Sequence, residues 1–410
     1  MTEKTLIKSF SIVSSWTFAS RILGFLRDIF LAFFLGSGAV AQAFLVAFTL
    51  PNMLRKIFAE GSFNKVFIPM FVDLKNNPRE ASNFASIIFI ILLALLTIIS
   101  ALGVLFMPYL IKFLAFGFLT DNRFDLAVIY GQILFPYILL ISLTQLFNSI
   151  LNSLNLYHMS TATQCILNLA LISSLFLSSF FEGNFGINLC VSVIIAGIIN
   201  LILVFRSCQI NGITINFLSL DYSKSSLDKS RKFLTKFLPI GIASGVTQIN
   251  LVVGRQISSL FDGAVVWLIY ADRLAQLPVA IIGVALNIVT LPKLTEFKNK
   301  KELDKINFYL NRSLQLSFLF SLPACIGLIL LNKEIVSAIF ERGNFNLNDT
   351  KNTSIALAIY SLSIIPISFQ MLFLNYYFAE KEIKIPFFYS IVSVIMNIIL
   401  AYSFLNYFEY

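Results

Sequence analysis

Residues 11–36 read SIVSSWTFASRILGFLRDIFLAFFLG. The stretch is long and apolar enough to cross a bilayer as a helix, for which about 20 residues suffice. Yet Arg21, Arg27 and Asp28 sit in its middle. The rest of the chain repeats the apolar part of this pattern. Of 410 residues 58% are hydrophobic and 12% charged, and the mean hydropathy is +0.84. A soluble domain carries about twice that charged fraction. Runs of about 20 apolar residues recur from end to end, and the short alternating segments of a membrane β-barrel are missing. The composition predicts an all-α, polytopic helical membrane protein.

Eleven spans are predicted, near 10–35, 39–60, 83–115, 125–152, 160–181, 186–205, 233–261, 264–292, 313–331, 354–379 and 386–406. Pro136 and Pro323 fall inside two of them, where membrane helices tolerate proline and often kink. The first run is too long for a cleavable signal peptide, and no small-residue cleavage site follows it. Of the 30 Lys and Arg, 21 fall on one side of this topology and five on the other. The remaining four, Arg21, Arg27, Arg255 and Arg273, lie within spans. The positive-inside rule then puts the N-terminus in the cytoplasm and, with an odd number of spans, the C-terminus outside. The net charge of +9 is thereby topological, with no nucleic-acid partner expected.

The largest loop surrounds SLDYSKSSLDKS and leaves no room for a soluble catalytic domain. It divides the chain into an N-terminal lobe (1–210, about six spans), a cytoplasmic linker (211–232) and a C-terminal lobe (233–410, about five spans). GAVAQAFLVAFTLP (38–51) and GAVVWLIYADRLAQLP (263–278) suggest that the lobes are pseudo-two-fold repeats. Each opens with Gly-Ala-Val at an outer turn and has Leu-Pro within the following span. Each is followed by another proline, in IPMF (68–71) and LPKL (291–294). Parallel repeats are a common transporter plan, with substrate bound between them.

An arginine at the bilayer centre costs roughly 2.5–3.5 kcal/mol on insertion scales, so such residues face a bundle interior or a wet cavity. Arg21 and Asp28, seven apart, share nearly one helical face, whereas Arg27 lies about 120° from Arg21. Gly24 between them offers a bend point. Arg55 and Glu60 follow toward the inner end of the second span, and Asp272 and Arg273 occupy the matching span of the second half. Arg255 and Lys56 read equally as snorkelling anchors or structural ion pairs. Arg21, Arg27 and Arg273 lie deeper and outnumber the nearby carboxylates, which suits an anionic substrate. Guanidinium forks match phosphate oxygens.

SRILGFLRD (20–28), LPNMLRKIFAEGSFNKVFIPMF (50–71), FPYILLISL (135–143) and YADRLAQLP…GVALNIVTLPKL (270–294) strongly resemble the lipid II flippase family (MurJ, also called MviN). This family belongs to the multidrug/oligosaccharidyl-lipid/polysaccharide exporter superfamily. The resemblance implies a transporter, not an enzyme, with no cofactor. It would move the undecaprenyl-pyrophosphate-linked peptidoglycan precursor, lipid II, from inner to outer leaflet of the bacterial cytoplasmic (inner) membrane by alternating access through a cationic central cavity. It assigns substrate contact to Arg21, Arg27, Asp28, Arg55 and Arg273, and an inner gate to Asn52 and Glu60, with Asp272 beside them as a gate residue. A monomer is expected, in contact with membrane lipids and with partners in cell-wall synthesis.

The chain departs from the family pattern at three positions. Gln42 stands where an acidic residue is usual, Thr49 where a basic one is common, and Gln276 where the family has Glu. Family members commonly have fourteen spans. Eleven here suggest a truncated reading frame, a degraded copy or a shortened variant. The alternatives are an exporter of another polyprenyl-linked saccharide or small molecule on the same fold, or an inactive truncated copy. A polyprenyl-phosphate enzyme would need clustered carboxylates or a metal site that the short loops do not offer. GSGAVA (36–41) imitates a dinucleotide fingerprint but has no preceding strand. Cys165, Cys190, Cys208 and Cys325 lack metal-like spacing and read as small buried residues. His158, the single histidine, reads as an interface residue.

Overall fold

The computed structural model describes residues 3–58, 62–74, 77–213, 215, 224–246, 248–380, 382 and 384–407. Among the described residues every regular element is a helix. The first is α1 (Glu3–Leu35), followed by α2 (Ala39–Phe58), α3 (Ser62–Leu74), α4 (Pro78–Leu105) and α5 (Met107–Leu114). A 3-10 turn (Phe116–Thr120) leads to α6 (Arg123–Leu134), α7 (Tyr137–Ser153), α8 (Tyr157–Phe180) and α9 (Phe185–Ile210). Next come α10 (Lys224–Val246), α11 (Ile249–Ser259), α12 (Ala264–Asn299) and α13 (Leu303–Leu330). The last four are α14 (Asn332–Phe340), α15 (Leu347–Ser361), α16 (Ile364–Ala379) and α17 (Lys384–Tyr407).

Each of the eleven expected spans falls on one of these helices or on a consecutive pair. Among the described residues seven helices have the length and hydropathy to cross a membrane, or eight if α15 and α16, bent by 41°, count as one broken span. α1 and α2 are not among them; they carry the charges that drew attention to them in the sequence. Pro136 separates α6 from α7, whereas Pro323 is accommodated inside α13. Gly-Ala-Val opens a helix in both halves, at Ala39 and at Ala264. The halves then diverge. α2 ends at Phe58 and Pro69 lies in the separate α3, while α12 runs through both Pro278 and Pro292.

The chain forms two compact units, Met1–Leu31 with Ala39–Gln256, and Ala32–Gly38 with Ile257–Tyr410. α10 and α11 follow the expected linker in sequence and pack within the first unit. Phe233 and Phe237 of α10 enter an aromatic core there with Phe63, Phe67, Phe71 and Phe84. Phe67 stacks on Phe84 at 5.6 Å, and Phe63 meets Phe233 edge to face at 5.4 Å. A good part of the aromatic content thus lies in the interior, where ring pairs add to area burial, and not only on a lipid-facing surface. Arg123 is buried at the start of α6, its guanidinium on Asp121 and over the Phe118 ring at 4.5 Å. Its Nη1 donates to Gln42 Oε1 at 2.9 Å. Asp121 already balances the charge, so the neutral amide of Gln42 suffices where the family usually has an acid.

In the second unit α12 is the central rod, packed by α13, α15 and α16. Ser313, Ser317, Ser321 and Cys325 recur every four residues along one face of α13, all buried. Ser313 Oγ bonds Thr290 of α12 (3.0 Å) and Ser321 donates to Ser368 of α16 (3.4 Å). Such small polar seams let membrane helices approach closely. At the other end of the unit, loop residue Asn344 clasps the last turn of α1. Its N–H donates to Phe33 O (2.9 Å) and its Nδ2 to Phe34 O (2.6 Å). α17 touches α16 lightly and leaves most of its apolar surface exposed. All four cysteines are free and buried, and His158 packs edge to face on Trp16 at 5.3 Å.

Candidate functional site

Within the first unit the charged middle of α1 forms a connected cluster. Asp28 is buried, and its Oδ1 accepts from Arg27 Nε (3.0 Å) and Nη2 (2.6 Å). Arg27 Nη1 donates to Asn168 Oδ1 on α8 at 3.0 Å, leaving the Arg27 side chain 14% exposed. Of the guanidinium's five N–H donors, three make these bonds and two are left over. Arg21 is exposed one face away. The seven-residue spacing favoured Arg21 as the partner of Asp28. The adjacent Arg27 takes that oxygen instead, because its long side chain folds back along the helix.

Asn52 and Arg55 lie on α2 just past Pro51, three apart and so on one face, both half-buried. Glu60 lies outside the described residues. One turn before Asn52, Thr49 Oγ1 donates to Leu45 O (2.8 Å) and accepts from Arg255 Nε of α11 at 3.4 Å. A guanidinium therefore occupies the vicinity of the position where the family often has a basic side chain.

In the second unit Asp272 and Arg273 are exposed on α12. Gln276, one turn on, donates to Asp272 Oδ2 at 2.5 Å. A glutamate at that position would set two carboxylates against each other; the amide supplies a donor instead. Among the described residues no group of His, Cys, Asp and Glu has the makings of a metal site. What the arrangement offers chemically is a guanidinium fork held by carboxylate and amide oxygens, a geometry that matches phosphate oxygens.

Sequence reasoning missed Asn168 and the Thr49–Arg255 contact. A polar residue inside an apolar span is itself a signal of a buried partner. Asn168 carries that signal, but it lies 141 positions from Arg27, and no spacing rule connects them.

Helices of membrane length, with arginines on α1 and α12, define a polytopic helical membrane protein. The solved structures agree on the class. An inward-facing multidrug resistance MATE family transporter of the MOP superfamily superposes with a TM-score of 0.72 at 14% identity, covering 92% of this chain and 84% of that one; at that identity the likeness concerns the fold alone. A structure of lipid II flippase MurJ in an inward closed conformation superposes with a TM-score of 0.80 at 29% identity, over 95% of this chain and 80% of the other. The family model described as "Lipid II flippase MurJ" matches residues 31–410. A probable lipid II flippase MurJ of Rhizobium tropici is 35% identical over 96% of this chain and 74% of its own length. Its counterpart in Rickettsia prowazekii is 33% identical over 96% and 77%. The chain belongs to the lipid II flippase MurJ family, a family of transporters and not of enzymes.

Proposed function

We propose that this chain flips lipid II from the inner to the outer leaflet of the bacterial cytoplasmic membrane. It does so by alternating access through a cationic central cavity, with the N-terminus in the cytoplasm. Arg21, Arg27, Asp28, Arg55 and Arg273 meet the pyrophosphate region, and Asn52, Glu60 and Asp272 gate the path. The protein works as a monomer alongside the machinery of cell-wall synthesis. The observation that carries the reading is the Arg27 guanidinium, fixed on two oxygens with two N–H groups left over. That is a prepared phosphate contact on a largely apolar helix. The bias of Lys and Arg to one side of the expected topology supports the orientation.

The test is growth of cells depleted of their own flippase and supplied with this chain. The wild-type chain restores growth. Arg27→Ala inserts at normal abundance and fails to restore it. Full rescue by R27A removes the assignment.

A further inference from the structure

Side chains at several successive levels tie α1 to α8 in the first unit. Cys165 Sγ meets Trp16 O (3.9 Å), Asn168 Nδ2 meets Ser20 O (3.2 Å), and Phe30 packs edge to face on Phe176 at 5.0 Å. Most of these contacts are apolar or weak. The exception is Asn168, which is 7% exposed in the middle of an apolar helix. An unbonded amide there would be costly, and this one is used at both ends. Nδ2 donates to Ser20 O and to Gln164 O (3.4 Å), and Oδ1 accepts from Arg27 Nη1 (3.0 Å). The two carbonyls accept only. They therefore require the NH2 end, and the oxygen is turned toward the guanidinium with no freedom to flip.

Asp28 alone leaves the guanidinium plane free to swing, because both of the donors facing it converge on a single oxygen, Oδ1. Asn168 supplies the second point of attachment, on the opposite nitrogen. Two points fix both the plane and the direction of the remaining N–H groups. We propose that Asn168 is the positioning residue of Arg27: it touches no substrate, and it aims the Arg27 fork at a polyprenyl-linked diphosphate. The proposal rests on the reading of Arg27 as a phosphate contact given above.

The experiment measures binding of farnesyl pyrophosphate to the purified full chain in detergent, for the wild type, R27A, N168L and R27A/N168L. Leucine keeps the branched, four-atom outline of asparagine, at a larger volume, and removes all three of its hydrogen bonds. N168A is read in the same way should leucine prevent folding, with thermal melting as the check on both. Losing a bond to a charged group predicts about tenfold weaker binding for N168L, a larger loss for R27A, and no further loss for the double variant over R27A. A merely structural Asn168 would weaken the R27A protein by the same factor as the wild type, and that result overturns the proposal. So does wild-type affinity in N168L while R27A is impaired. Wild-type affinity in R27A removes the underlying reading of Arg27 instead, and the positioning role with it.

Discussion

Trp267 donates its indole N–H to Asp349 Oδ1 at 2.8 Å, joining the first turn of α12 to the first turn of α15. The same oxygen accepts from Ser37 Oγ at 2.5 Å, and Oδ2 accepts from the Asn346 N–H at 3.1 Å as half of a capping box. The carboxylate is 1% exposed. A single buried acid thus ties the turn after α1, α12 and α15 together within the second unit. Replacing Asp349 by Ala takes this acceptor from three donors and removes its half of the capping box, a loss of about 2–4 kcal/mol. Asn keeps one acceptor and costs less. Thermal melting in detergent should rank wild type above D349N above D349A; equal melting of wild type and D349A would refute this account of the joint.

Two glycines beside that joint are held by backbone. Gly343 has φ +61°, and a Cβ on it would lie 2.3 Å from Phe33 O; Gly36 has φ +57°, with its Cβ 2.3 Å from Asn344 O. Gly212 also has positive φ, +82°, but nothing stands within 4 Å of its Cβ position. Alanine at 212 meets conformational strain alone, about 1 kcal/mol. Alanine at 36 or 343 must also push backbone aside. Melting temperatures of the three variants separate the two effects, with G343A and G36A falling well below G212A.

Arg123 hydrogen bonds hold the Asp121 carboxyl below its ordinary value of 3.8. A lowered folded value means that the contribution to stability is fully present above the ordinary carboxylate range. It is lost as pH falls through the lowered value. Through that fall Arg123, itself buried, loses its counter-charge. Acid titration followed by intrinsic fluorescence should show a transition in the wild type that is weaker in D121N, whose stability is lower at neutral pH and flatter toward acid.

The Thr49–Arg255 contact is long, 3.4 Å, and should be worth little by itself. Thr49→Val preserves shape and removes the acceptor, with transport falling about two- to threefold, the effect of a weak hydrogen bond. Arg255→Ala should fall further, by about tenfold if the guanidinium meets substrate. Adding T49V to R255A should then change nothing more. Independent losses from the two substitutions would show that Thr49 does not act through Arg255.

The sequence made the helices legible because apolar runs of membrane length have few other uses. It also marked Arg21, Arg27, Asp28, Arg55 and Arg273, because charge inside such a run needs a reason. It could not reveal which partner each charge takes. Helical spacing paired Asp28 with Arg21, whereas the folded chain pairs it with Arg27, since reach along the helix surface outweighs angular position for a side chain this long. Asn168, Asp349 and the Arg123 partner of Gln42 escaped for a different reason. Each is a single polar residue whose meaning depends on a residue far away in sequence, and no local period encodes that. The aromatic interior around Phe67 and Phe233 was hidden likewise, because phenylalanine fits lipid and core equally well.

α12 is an unbroken helix of 36 residues, about 54 Å long at 1.5 Å per residue. The hydrocarbon core is about 30 Å thick, and even a 40° tilt leaves a projection of about 40 Å along the membrane normal. The surplus emerges where Lys293 and Lys300 pair with Glu296. The helix that carries Arg273 is therefore longer than the hydrocarbon it would have to cross, and its charged last turns are the part suited to water.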